Sequence, residues 1–205
     1  MIKKGTKISN GVKKTKKPDI RYLNEIRDLL YDQNWAKNAP NIKLYYMHRG
    51  VKKKGGLRYD VTIIPPRMLG KEFVKTKGNH NSNNFPELYI VLKGRALILM
   101  QKTIGKSVKK AIAIKLKRGE SIIEPADYDV ITINPSRQIL EITNWVSEKN
   151  KNIYKNIEKM KGACYFFTKD GWVKNKNYKK IPKLIFKKPL KKIPKNLDFL
   201  YGEED

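Results

Sequence analysis

Glu87 and Tyr89, in the run Glu87-Leu88-Tyr89, are the first residues of a type that does chemistry. A carboxyl works as an acid–base group when a cavity raises its pKa; without charged partners it is a hydrogen-bonding or packing residue. Other reactive types are scarce. The 205 residues hold two histidines, His48 and His80, and one cysteine, Cys164. That excludes an internal disulfide and a zinc-finger framework. Cys164 stands in Ala-Cys-Tyr-Phe-Phe, an apolar run where a thiol is simplest as a small core residue. Gly-x-Ser-x-Gly, the phosphate-binding P-loop and the dinucleotide fingerprint are all missing from the sequence. Tyr45, Tyr46, Tyr59, Trp145, Tyr165 and Phe166 could stack on bases or fill a barrel. With no RNA-recognition signature, any RNA binding would be led by phosphates and shape.

Lysine is the other abundant chemistry. Lys and Arg number 46 against 19 Asp and Glu, a formal net charge of +27. Residues 1–18 hold seven lysines and no acid, and residues 173–195 hold ten lysines and no acid. Such tails repel themselves and are expected to stay unfolded until a polyanion neutralises them and releases counterions. A lysine-rich hyperthermophile surface would be rich in Glu too, and here acids are few. Nucleic acid is therefore the expected partner. The segment Lys179 to Lys195, with prolines at 182, 189 and 194, is expected to run extended, like the extensions ribosomal proteins thread into ribosomal RNA. The longest apolar run, Ala96 to Met100, is too short for a transmembrane helix, and the N-terminus lacks a signal peptide's apolar block. These features suggest a cytosolic protein that makes no use of membranes.

The elements that position these groups follow from periodicity. Asp19 is placed to cap a helix with Ile20, Leu23, Ile26 and Leu30 on one face, ending near Gln33 to Trp35. From there strands are predicted at 42–48, 57–64, 87–92, 95–101, 108–116, 121–124, 128–133, 138–145 and 163–168. Turns are expected at Arg49-Gly50, Gly55-Gly56 and Lys93-Gly94, and a short helix within 149–161. Many short strands joined by turns give a mainly β fold, an antiparallel sandwich or barrel.

Residues 42–145 resemble the cupins, specifically the archaeal cupin-type glucose-6-phosphate isomerases. Those carry Thr-Lys-Gly-His-x-His, a loop, then Glu-x-Tyr and a Gly. Here the run is Thr76-Lys77-Gly78-Asn79-His80-Asn81, then Glu87-Leu88-Tyr89 and Gly94. The second motif runs from Gly119 through Pro125 to Asn134. The resemblance implies a double-stranded β-helix, or jelly-roll; with the N-terminal helix read from periodicity, the domain is expected over residues 19–172, between a basic arm (1–18) and a basic extended tail (173–205) that lie outside the resemblance. It also implies a divalent metal held by three histidines and a glutamate. Those positions read Asn79, Asn81, Val130 and Glu87; valine has no donor and neutral amides are weak ligands, so no metal or other cofactor is expected. By motif position, Thr62, Thr76 and Gly78 resemble the family's phosphate cradle, with Tyr89 lining the pocket.

The loss of ligands together with the charge leads to the expectation of a catalytically inactive cupin that binds ribosomal RNA on the ribosome, beside other ribosomal proteins. Lys3, Lys4, Lys13, Lys14, Lys16, Lys17, Lys179, Lys180, Lys187, Lys188, Lys191 and Lys192 are the expected phosphate contacts. Two alternatives stay open: a divergent sugar-phosphate isomerase or sugar-phosphate binder, and a DNA-binding chromatin protein. A homodimer is compatible with the resemblance.

Overall fold

From Lys43 onward, β-branched and aromatic residues recur between turn glycines, and strand becomes the main regular structure. The computed structural model describes residues 17–202. In chain order the strands are β1 (Asp19–Tyr22), β2 (Lys43–Lys54), β3 (Leu57–Ile64), β4 (Met68–Leu69), β5 (Glu72–Phe73), β6 (Asn79–Asn81), β7 (Glu87–Lys93) and β8 (Arg95–Ile104). They continue with β9 (Ser107–Lys117), β10 (Ser121–Glu124), β11 (Asp129–Ile133), β12 (Leu140–Ser147), β13 (Asn152–Ile153), β14 (Tyr165–Thr168), β15 (Gly171–Lys174) and β16 (Ile185–Lys187). Two short helices interrupt them, α1 (Gln33–Asn38) and α2 (Lys155–Lys159).

Two six-stranded sheets form the body, in the orders β1-β2-β3-β12-β7-β10 and β13-β6-β11-β8-β9-β16. Their buried apolar residues belong to one continuous core, with Val91, Leu97, Leu99, Ile131, Leu140 and Ile142 among them. Each such side chain stabilises the fold by roughly 1.5–3 kcal/mol relative to exposure. A smaller sheet, β15-β14-β5-β4, packs beside them through Phe73, Phe167 and Trp172. The whole is a mainly β jelly-roll. At the β7–β8 turn, Gly94 takes φ +79°, and a Cβ there would lie 2.5 Å from the Ile139 carbonyl oxygen, so no larger residue fits.

Three expectations need correction. The N-terminal helix is absent. Asp19–Tyr22 instead pairs with β2 as an edge strand, and two 3-10 turns (Leu23–Glu25, Arg27–Leu29) follow. Leu23, Ile26 and Leu30 are buried all the same, because spacings of three and four suit successive tight turns as well as a helix. The cap is Asp32, which accepts from Trp35 N–H at 3.1 Å at the start of α1. Gly50 makes an irregularity within β2 rather than a turn; the ladder with β3 resumes at Lys52, and the chain reverses at Gly55-Gly56.

The C-terminal tail is extended, but it is not unfolded. Within it β16 pairs in parallel with β9. Val108 N–H donates to the Lys180 carbonyl at 2.8 Å, and Leu190 N–H to that of Ser121 at 2.9 Å. Leu184 and Leu200 are buried against the body. Backbone pairing and these two apolar anchors supply what charge repulsion opposes, so no polyanion is needed for order here. Among the described residues, no helix is long and apolar enough to cross a membrane.

Candidate functional site

Strand register brings the motif residues to one pocket. Residues of β7 and β12 pair side by side, with Tyr89 opposite Asn144. The ladder β3–β12 adds Thr62 opposite Ile142, and β6–β11 adds Asn79 opposite Val130. The pocket between the sheets is lined by Thr62, Thr76, Lys77, Gly78, Glu87 and Tyr89, with Arg49, Asn144 and Tyr154 at its other walls. Its volume is about 60 Å³. That is room for about two waters and well below a typical ligand pocket.

Gly78 gives the Thr-Lys-Gly turn its shape. It has φ +82°, and a Cβ would lie 2.8 Å from Ile131 Cγ1. The turn's other groups are partly engaged within the protein. Thr76 Oγ1 accepts from Thr132 N–H at 3.0 Å, and Lys77 N–H donates to the Tyr45 hydroxyl at 3.0 Å. The Lys77 ammonium is 2.6 Å from Glu158 on α2 and lies over the Tyr154 ring. This ion pair and ring sit across one side of the pocket.

Glu87 is buried, and the Tyr89 hydroxyl donates to its Oε2. Asn150 Nδ2 lies 3.5 Å from Oε1. Burial pushes the Glu87 carboxyl up to about 7, and the negative charge of Asp60 adds to the rise, against the hydrogen bond from Tyr89 and the charges of Arg58 and Arg49. Asp60 itself is compensated by Arg58 at 3.0 Å, Arg49 at 3.3 Å and the Gly50 N–H at 2.7 Å. Directly opposite Glu87 across the β7–β10 ladder stands Glu124, raised well above a carboxyl's usual range by burial and then by the Glu87 charge. Tyr89 is raised as well, chiefly by burial, so its hydroxyl stays neutral and can donate.

The donor set does not fit the divalent metal of the resemblance. Asn79, Glu87 and Val130 line the pocket, but Asn81 is engaged on both sides of its amide. Its Oδ1 accepts from Asn79 (3.2 Å) and Asn150 (2.9 Å), and its Nδ2 donates to the Phe85 carbonyl (2.9 Å). Among the described residues no group of three or more His, Cys, Asp or Glu could hold a metal ion. An amide network joins these positions instead, and its Asn150 reaches Glu87.

His80 lies on the other side of β6, with Nδ1 3.6 Å from Asp129. Cys164 is buried in the core, and burial pushes its thiol up to about 12, which leaves it unreactive. Lys179, Lys180, Lys187, Lys188, Lys191 and Lys192 are exposed on the strap, and Lys17 at the other end is exposed too. Lys3, Lys4, Lys13, Lys14 and Lys16 lie outside the described residues. Sequence reasoning missed Glu124 and Asn150. Glu124 had a readable signal, since it shares a strand face with Ile122 and so points a carboxyl into the core.

Fold and motifs together define a cupin, the class the sequence resembled. A profile of the glucose-6-phosphate isomerase (GPI) family matches residues 40–183, and the chain belongs to that family. Relatives include the glucose-6-phosphate isomerases of Pyrococcus abyssi, 31% identical over 105 residues, and of Thermococcus litoralis, 28% identical over 130 residues. The matched stretches are 48% and 60% of this chain and 56% and 66% of those proteins, so the chain spans between half and two thirds of their length. Among solved structures, a Cupin 2 conserved barrel domain protein from Salinispora arenicola is similar at 13% identity and TM-score 0.36, over 49% of this chain and 73% of that one.

These findings correct the expectation of a catalytically inactive protein. The chain is a divergent cupin within a family named for an isomerase, and its relatives carry that enzyme's name. The expectation rested on the lost histidines. Those positions alone do not decide activity, because a buried carboxyl pushed up to about 7 stands in the same pocket.

Proposed function

We propose that this protein is a sugar-phosphate isomerase that interconverts a phosphorylated aldose and ketose, with glucose 6-phosphate and fructose 6-phosphate as the first pair to test. The observation that carries the reading is Glu87, pushed up to about 7 in the pocket that Thr62, Thr76, Gly78 and Tyr89 also line. Glu87 as carboxylate takes the proton from the carbon next to the carbonyl. The electron pair forms the carbon–carbon double bond of an enediol as the carbonyl oxygen takes a proton from water. Glu87 then returns its proton to the other carbon while the second hydroxyl gives its proton back to the hydroxide so formed, and atoms and charge balance. Asn144 orients the sugar oxygens. No step passes through a metal.

The phosphate is taken by the Thr62 and Thr76 hydroxyls and by the Lys77 ammonium once Glu158 releases it, which also opens the side of the small pocket. Coupled assays in both directions test the reading. Glu87→Gln is expected to lower kcat by about 10²- to 10⁴-fold, the scale of acid–base catalysis. Absence of turnover together with absence of solvent deuterium uptake into either sugar would remove the isomerase reading.

A second reading, contact with a polyanion such as ribosomal RNA, is favoured by the strap. Its lysines at 179, 180, 187, 188, 191 and 192 are exposed and make no ion pair among the described residues. The two readings use different surfaces and do not compete. Sedimentation of native lysate through a sucrose gradient, with and without RNase, tests it; a protein that stays at the top in both would end it.

A further inference from the structure

We propose that one outer face of β8, β9 and β16 is a binding site for single-stranded RNA, with a base stacked on Phe186 and Arg95, Lys115 and Lys117 on the phosphates. The inference rests on the polyanion reading and is independent of the isomerase reading. Register fixes the face. Arg95 is opposite Lys117 and Leu97 opposite Lys115 in the β8–β9 ladder, and Phe186 is opposite Ala113 in the β9–β16 ladder. Directly paired residues, and residues two apart on one strand, share a sheet face. Arg95, Lys115, Lys117 and Phe186 therefore project to the same side as the buried Leu97 and Ala113, and they form its exposed part.

That side opens into a groove of about 770 Å³. Phe73 and Phe167, stacked at 5.4 Å with 24° between their rings, form part of its wall. Arg95, Lys115, Lys117 and Lys169 surround it, and Glu120, 3.8 Å from Lys117, is the acid in its lining. Arg95, Lys115 and Lys169 make no ion pair among the described residues. Phe186 is 64% exposed on the neighbouring edge strand. An unpaired ring costs hydration and an uncompensated cation array costs self-repulsion; a partner with flat apolar faces and one negative charge per unit relieves both.

Single-stranded nucleic acid has that composition, since every base offers a π-face and every linkage a phosphate. A duplex hides its base faces. A membrane anchor needs a continuous apolar face, and here lysines separate the rings. Single strands available in bulk are RNA, so RNA is the occupant.

The test is fluorescence anisotropy of full-length protein with labelled oligouridylate across a salt series. Phe186→Ala is expected to weaken binding about tenfold, the scale of losing one base–aromatic stack, with an unchanged salt slope. Phe186→Trp should retain binding. Arg95, Lys115 and Lys117 changed together to Gln should lower the slope of log affinity against log salt by about 2, at roughly 0.7 per phosphate contact. A charge-matched control, Lys37, Lys43 and Lys54 to Gln, should lower it less. Thermal midpoints of all variants establish that they fold. Binding that ignores Phe186→Ala and falls equally in the two triple variants would overturn the inference and leave the polyanion reading standing. So would equal affinity for duplex RNA, single-stranded DNA over RNA, or anionic phosphatidylglycerol vesicles. No binding of wild type to any nucleic acid would end both.

Discussion

Glu87 and Glu124 face each other across the β7–β10 ladder, both buried, and the Tyr89 hydroxyl donates to Glu87. Directly paired residues hold their Cβ atoms about 5 Å apart, and two carboxylates that close inside a protein do not both ionise. Glu124, raised well above the usual range, keeps its proton. Glu87, with Tyr89 donating to it, is the one that titrates near neutrality. The asymmetry between two like residues comes from the charges of Arg58 and Arg49, which act on Glu87, and in the proposed isomerase it gives the proton-transfer role to Glu87.

The pH dependence of activity tests that assignment. Glu87 must be ionised to accept a proton, so kcat/KM should rise with pH through about 7. The Tyr89 hydrogen bond favours the carboxylate, and Tyr89→Phe removes it. The acidic limb should then move to higher pH by about one to two units, the worth of a hydrogen bond to a charged group. A limb that stays in place in the variant would take the Tyr89 hydroxyl out of the account.

Stability should carry the same signature with the opposite consequence. The unfolded chain loses the Glu87 proton near the ordinary carboxyl pKa of about 4.3, and the folded protein keeps it until about 7. Between those values the folded state binds the extra proton, so this contribution is complete below about pH 4 and is lost as pH rises to about 7. The loss is on the order of 3 kcal/mol. Urea unfolding at pH 5 and pH 8 should show a smaller decline for Glu87→Gln than for wild type. Equal declines would mean that Glu87 is ionised throughout.

Much of the architecture was legible because it is local. Alternation and turn glycines placed β3, β7, β8, β9, β10 and β11 to within a few residues, since a half-buried strand leaves a period-two trace, whereas β4, β5 and β6, two or three residues each, are too short to leave one. The misread segment is the one whose structure is set at a distance: Asp19–Tyr22 is a strand because β2 offers an edge, with Ile20 opposite Tyr46. Glu87, Tyr89, Thr62, Thr76 and Gly78 were brought to one pocket because a motif carries its own spacing. Asn150 had no such trace. Its contact with Glu87 spans 63 residues and exists only once the loop after β12 has closed over β6.

Metal binding separates this chain from its resemblance. The wild-type donor set of Asn79, Asn81, Val130 and Glu87 should give no rise in thermal midpoint with Ni²⁺ or Mn²⁺, and chelator should leave its activity unchanged. Changing Asn79, Asn81 and Val130 together to His would place three imidazoles beside Glu87. That variant should gain a metal-dependent rise in midpoint, equivalent to about 2.7 kcal/mol at a metal concentration 100 times its Kd. Titration calorimetry measures it directly. Tight metal binding by the wild type, stoichiometric with protein, would contradict the assignment of these positions to an amide network.

In the proposed isomerase, the ion pair between Lys77 and Glu158 stands where the phosphate would enter. Lys77 Nζ is 2.6 Å from Glu158 Oε1 and lies 4.7 Å from the centre of the Tyr154 ring, and both Lys77 and Tyr154 line the pocket. Glu158 is half-exposed, so water screens the pair and it holds by roughly 1 kcal/mol or less. A dianionic phosphate competes well against one exposed carboxylate. Glu158→Gln removes the competitor, leaves the ammonium free to meet the phosphate, and loosens the segment from Tyr154 to α2. The expected result is a KM for the sugar phosphate lower by a few-fold with kcat nearly unchanged, because the change acts on binding and not on Glu87. Lys77→Met should raise KM instead. If Glu158→Gln and Lys77→Met moved KM in the same direction, the pair would be holding the pocket together and not holding the phosphate site closed.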